Sequence, residues 1–174
     1  MITVALSATI GAPQDNVWRA LTDPAARSNW DERILGAVGS ARSAGKPRKG
    51  PGVSSHDASR DRPADRMPAL EQRKWRFRLG GVPLVMLDTT IESAPRQRLV
   101  SRIAIGSIQF DQILTLHPED DESGPRTRLG MKIVARNRIA VIGEVVQRLD
   151  VQKIVIEYVD TTLRQVQKYC EADT

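Results

Sequence analysis

Apolar residues recur at every second position along most of this chain, then switch near the C-terminus to a spacing of three or four. The first period belongs to a strand with one buried face and the second to a helix, and one backbone cannot satisfy both. Leu129, Met131, Ile133 and Ala135 alternate with Arg128, Gly130, Lys132 and Val134. Beyond them Val145, Leu149, Gln152, Ile156, Val159, Leu163, Val166 and Cys170 follow helical spacing, and only Gln152 is not apolar. A helix over Glu144 to Glu171 would span about 42 Å at 1.5 Å per residue. Val151, Val155 and Tyr158 add a second apolar row to its first half. A helix that broad on its apolar side covers a concave surface there.

Upstream, the period of two supplies a sheet. Ile2, Val4, Leu6, Ala8 and Ile10 form one face of a first strand, which Gly11 breaks. Pro13 suits a first helical turn, and Val17 and Leu21 share a face beside Trp18. Asp23 is placed to cap a second short helix that begins at Pro24 and ends near Trp30. Arg33 to Val38 reads as a strand. Trp75, Phe77 and Leu79 then alternate with charged residues, and Gly80-Gly81 turns the chain. Further strands run from Leu84 to Glu92, through Leu99, Ser101, Ile103 and Ile105, and through Ile108, Phe110, Gln112, Leu114 and Leu116. Short connections between successive strands imply an antiparallel meander. The fold class expected is therefore α+β, with two short helices after the first strand and one long closing helix. Between Gly39 and Gln72 periodicity vanishes and Ser, Gly, Pro, Arg and Asp dominate. That composition reads as a flexible basic insertion within a single domain over residues 1–174.

Composition narrows the function classes. Cys170 is the only cysteine, so no internal disulfide forms and nothing calls for an oxidising compartment. Met1-Ile2-Thr3-Val4 lacks the basic start and long apolar run of a signal peptide. No stretch approaches the ~20 apolar residues of a membrane span. A cytoplasmic location is the expectation. The net charge of +5 owes much to Arg42, Lys46, Arg48, Lys49, Arg60, Arg62 and Arg66 of the insertion. These suit a weak contact with an anionic surface. No aromatic residue interleaves them, which argues against specific nucleic-acid binding.

The run Ile10-x-Ala12-Pro13-x-x-x-Val17-Trp18-x-x-Leu21-Thr22-Asp23-Pro24 with Trp30 downstream, the turn Ser93-Ala94-Pro95-Arg96-Gln97-Arg98-Leu99 and the closing helix together resemble the START-like (SRPBCC) superfamily. That group includes the birch-pollen-allergen proteins and the polyketide cyclase/dehydrase family. The resemblance implies a helix-grip fold: a curved antiparallel sheet of about seven strands around the C-terminal helix, with a ligand cavity between them. Gly50-Pro51-Gly52 stands where the family carries a glycine-rich loop at the cavity mouth.

Candidate cavity residues follow from the sheet faces. They are Phe77, Leu79, Leu99, Ile103, Phe110, Leu114, Leu129, Met131 and Ile133, with Ile156, Val159 and Leu163 from the helix. Ser101 and Gln112 share those rows, and Tyr158 offers a hydroxyl. A buried polar group without a partner costs about 1–3 kcal/mol, so each of these needs a protein partner or a ligand. Asp88 and Glu92 alternate with Val85, Leu87 and Ile91, and on that reading they face solvent, as do Arg76, Arg78 and Arg102. His56 lies in the insertion and His117 at a strand end, neither with an orienting partner. No metal-ligand spacing or cofactor motif is present. The first reading is a binder of a hydrophobic or amphipathic, lipid- or polyketide-like small molecule, with no catalytic residue assigned. A polyketide cyclase or dehydratase, and a co-chaperone-like interaction module, are the alternatives.

Overall fold

A computed structural model describes residues 1–38, 71–136, 139–142 and 147–172. Strand β1 (Ile2–Ile10) leads into helix α1 (Gln14–Thr22), helix α2 (Pro24–Trp30) and strand β2 (Ile34–Ala37). A meander follows: β3 (Gln72–Leu79), β4 (Val82–Ala94), β5 (Arg98–Ile105), β6 (Ile108–Pro118) and β7 (Thr127–Ala135). These make one seven-stranded antiparallel sheet in the order β1-β7-β6-β5-β4-β3-β2. A separate hairpin of β8 (Ile139–Ile142) and β9 (Gln147–Asp150) precedes the long helix α3 (Val151–Ala172). The curved sheet gripping a long C-terminal helix is the helix-grip architecture.

Local chemistry explains the joints. Gly80 and Gly81, at φ of 54° and 84°, close the β3–β4 hairpin, which needs positive φ at both central positions. The Asp23 carboxylate accepts the Ala25 amide at 2.9 Å and Pro24 supplies the first residue of α2. The Trp30 indole donates to the Ala20 carbonyl at 2.7 Å, tying α2 to α1. Helix α3 packs on β1 and β7, and α1 packs on both α3 and β6. Between them lie the fully buried side chains of the core, among them Ile103, Ile105, Leu129, Met131 and Ile133.

Three expectations are corrected. The closing helix begins at Val151, not Glu144, and Gln147–Asp150 is extended. The Asp150 carboxylate accepts the Gln152 amide at 3.0 Å and so caps the helix there. The helix of 22 residues is thus about 33 Å long. Because Leu149 belongs to a strand, the apolar stripe cannot be counted on from it. The buried stripe is Val151, Val155, Tyr158, Val159, Thr162, Leu163, Val166 and Cys170. Ile156, expected to face inward, is 43% exposed. Leu6 in the β1 row is likewise exposed, and Leu79 is only half-buried. Finally, Gln72 opens β3 rather than ending an insertion. The rest of that expected insertion, with Gly50-Pro51-Gly52 and His56, lies outside the described residues up to residue 70, as do Gly143 to Val145.

Candidate functional site

Helices α1 and α2, the sheet and α3 meet around one site. A cavity of about 230 Å³ lies there. Trp18, Leu21 and Thr22 line it from α1, Arg27 and Trp30 from α2, and Tyr158 and Thr162 from α3. The sheet contributes Arg73, Asp88, Thr90, Ser93, Leu99, Ser101, Gln112 and Leu114, with Glu71 and Pro95 beside it.

Cross-strand register explains the sheet's share. Asp88 lies opposite Ile103, and Ser101 lies opposite both Thr90 and Gln112. Directly opposed residues share a face, so a row of polar side chains crosses β4, β5 and β6 toward the cavity. Asp88, Ser101 and Gln112 are all buried.

Asp88 is the main correction at this site, since it points inward rather than to solvent. Its carboxylate accepts a hydrogen bond from Arg27 Nη1, and both side chains are at most 8% exposed. The odd-numbered apolar neighbours Val85 and Ile91 take the outer face instead. Glu92, Arg76, Arg78 and Arg102 are exposed as expected. Burial disfavours the Arg27 charge, but Asp88, Tyr158 and Asp31 together outweigh it and hold the guanidinium protonated well above the usual arginine range. Arg27 Nε is buried with no acceptor among the described residues.

A second cluster fixes the helix side. Arg33 donates to the fully buried Asp31 carboxylate through Nε at 2.7 Å and Nη2 at 3.0 Å. It also donates to the Tyr158 carbonyl at 3.3 Å and Thr162 Oγ1 at 2.9 Å. Its guanidinium lies 4.6 Å from the Tyr158 ring centroid and 5.3 Å from that of Phe77. Phe110 meets the Tyr158 ring edge-on at 5.2 Å. Held on all sides, the Tyr158 hydroxyl donates to Gln112 Oε1 at 3.2 Å. Burial pushes the Tyr158 pKa up against the pull of Arg27 and Arg33, so the phenol is neutral at physiological pH.

At the rim, Arg73 donates to the Thr22 carbonyl at 2.8 Å and pairs with the exposed Glu71 carboxylate. His117 is exposed at the end of β6, outside the lining. Among the described residues no group of three or more His, Cys, Asp or Glu is placed to hold a metal ion.

Of the expected cavity residues, Leu99, Ser101, Gln112, Leu114 and Tyr158 line this cavity. Phe77, Ile103, Phe110, Leu129, Met131, Ile133, Val159 and Leu163 are buried away from it in the core. Sequence reasoning missed Arg27, Trp30 and Thr162 as lining and misplaced Asp88. The signal for Asp88 was its parity with Met86, whose cross-strand partner is the buried Ile105.

Comparison with known proteins agrees with this architecture. The family described as "Polyketide cyclase / dehydrase and lipid transport" matches residues 1–171. A START superfamily protein from Mycobacterium smegmatis is similar in structure, with a TM-score of 0.67, 14% identity and 99% of each chain covered. A protein from Thermus thermophilus gives a TM-score of 0.64 at 18% identity, also over 99% of each chain. The Zhui aromatase/cyclase from Streptomyces sp. R1128 gives 0.63 at 13% identity, over 98% of this chain and 93% of its own. No curated protein matches the chain. With a match that runs almost end to end and a START-like helix-grip fold to carry it, the chain belongs to the polyketide cyclase/dehydrase and lipid transport family.

Proposed function

We propose that this chain binds a hydrophobic or amphipathic small molecule in the cavity beneath α1 and α2. The observation that carries the reading is a concave site lined by apolar side chains (Trp18, Leu21, Trp30, Leu99, Leu114) together with polar groups from the sheet, α2 and α3. Apolar area removed from water drives binding at about 25 cal/mol per Å², and the few polar groups set orientation. At about 230 Å³ the cavity sits below the ~300–1,000 Å³ usual for ligand pockets. A compact ligand of one or two rings, or a short acyl chain, suits it.

A cyclase or dehydratase has less support here. Among the described lining residues there is no histidine, the Asp88 carboxylate is engaged by Arg27, and the Tyr158 phenol holds its proton. General-base work needs a group free to accept a proton near neutral pH.

Native mass spectrometry of the purified chain, followed by organic extraction, tests the binding reading. A co-purifying compound of defined mass is expected from the wild type and not from Ser101→Leu, whose larger side chain occupies the cavity floor. Equal loading of a folded Ser101→Leu variant would show that the ligand sits elsewhere.

A further inference from the structure

The Arg27–Asp88 pair sets a charge rule for whatever enters. We propose that this pair makes the cavity reject anionic ligands and admit uncharged ones that carry a hydrogen-bond acceptor for Arg27. The inference rests on the binding reading above and specifies the ligand's charge.

Four charged side chains among the described residues line the cavity: Arg27 and Arg73 against Glu71 and Asp88. Two positive and two negative charges sum to zero. The deep pair neutralises itself, since Arg27 Nη1 already donates to Asp88 Oδ2. A carboxylate entering here would compete with Asp88 for one guanidinium and bring two negative charges together in a buried site. Such a charge is costly to desolvate without a partner of its own. A ligand of hydrocarbon alone fails differently. It leaves Arg27 Nε buried beside Asp88 with no acceptor. A neutral carbonyl or ether oxygen accepts from the guanidinium without adding charge. Across the floor, Tyr158 and Gln112 already satisfy each other with one neutral hydrogen bond. The cation beside them, Arg33, is already held by the Asp31 carboxylate.

Three probes of matched shape separate these cases by isothermal titration calorimetry at pH 7 on the full chain: 2-acetylnaphthalene, 2-isopropylnaphthalene and 2-naphthoate. The wild type is expected to bind the ketone at least tenfold more tightly than the carboxylate and several-fold more tightly than the hydrocarbon. Asp88→Asn frees the guanidinium and is expected to reverse the order of ketone and carboxylate. The double variant Arg27→Met with Asp88→Leu keeps the volume, removes both charges, and is expected to bind ketone and hydrocarbon alike. Naphthoate binding most tightly to the wild type would overturn the charge rule. So would equal affinity for ketone and hydrocarbon, although the cavity reading would survive that result. A folded Asp88→Asn variant that keeps the wild-type order would also overturn it. If none of the three probes binds, the cavity reading falls and takes this inference with it.

Discussion

Removing either member of the Arg27–Asp88 pair alone should destabilise the fold far more than removing both. Each residue is 6% exposed, so neither charge has enough water to stand alone. Breaking a buried pair from one side typically costs about 3–5 kcal/mol, whereas replacing both partners with apolar residues of similar volume is often neutral. Two single losses of that size against a double loss near zero leave a coupling of about 6 kcal/mol or more. In a domain of this length, about 2–4 °C is lost per kcal/mol, so a single variant should melt about 6–20 °C lower. Arginine cannot shed its proton, so the cost of Asp88→Leu stays constant with pH. Urea denaturation of wild type, both single variants and the double variant at pH 5 and pH 7.5 measures all four corners. If each single variant costs under about 1 kcal/mol, the pair is solvated and the desolvation argument is wrong.

The other expectations concern the face of α3 that closes the cavity. Tyr158→Phe keeps the ring contacts with Phe110 and Arg33 but deletes the hydrogen bond to Gln112, and should cost about 0.5–1.5 kcal/mol by chemical denaturation. The raised Tyr158 pKa means the folded state holds its proton longer than the unfolded chain, so stability is full below pH ~10 and falls above it. An alkaline melt series should show that limb in the wild type and a shallower one in Tyr158→Phe; identical limbs would remove Tyr158 from the account. Arg33→Ala strands the fully buried Asp31 carboxylate and should cost about 3–5 kcal/mol. Arg33→Lys should not restore it, because an ammonium cannot bridge Asp31, Thr162 and the Tyr158 carbonyl at once.

Most of the scaffold was legible because strand period and turn residues act locally. Gly80-Gly81, Asp23-Pro24 and the rows of β5, β6 and β7 each carry their own signal, and the structure follows them. The start of α3 was not legible from periodicity, because Leu149 in β9 falls by chance on a helical spacing and carries the count to Ile156. The local signal that overrides the count is Asp150, an N-cap residue directly before the buried Val151.

The site was harder to read for a reason that bears on its chemistry. On β4 both parities are apolar, with Leu84 and Met86 on one side and Val85, Leu87 and Ile91 on the other. Hydropathy alone gives the larger apolar set the inner face and sends Asp88 to solvent. The sheet decides otherwise through register: Met86 pairs with Ile105 and Asp88 with Ile103, both completely buried. The irregularity between Thr90 and Glu92 then shifts the phase, so Glu92 emerges on the surface. Burying Asp88 is tolerable only because Arg27 reaches it from a helix 61 positions away in sequence. That helix is 7 residues long, too short to show a face. A charge placed inward against the local pattern and matched from a distant element costs stability that an apolar pair would keep. The cost is understandable if the pair acts on the molecule in the cavity, which is why the naphthalene series and the denaturation cycle should be run on the same variants. A double variant at least as stable as the wild type, yet blind to the ketone, would locate the benefit of Arg27 and Asp88 in recognition and not in folding.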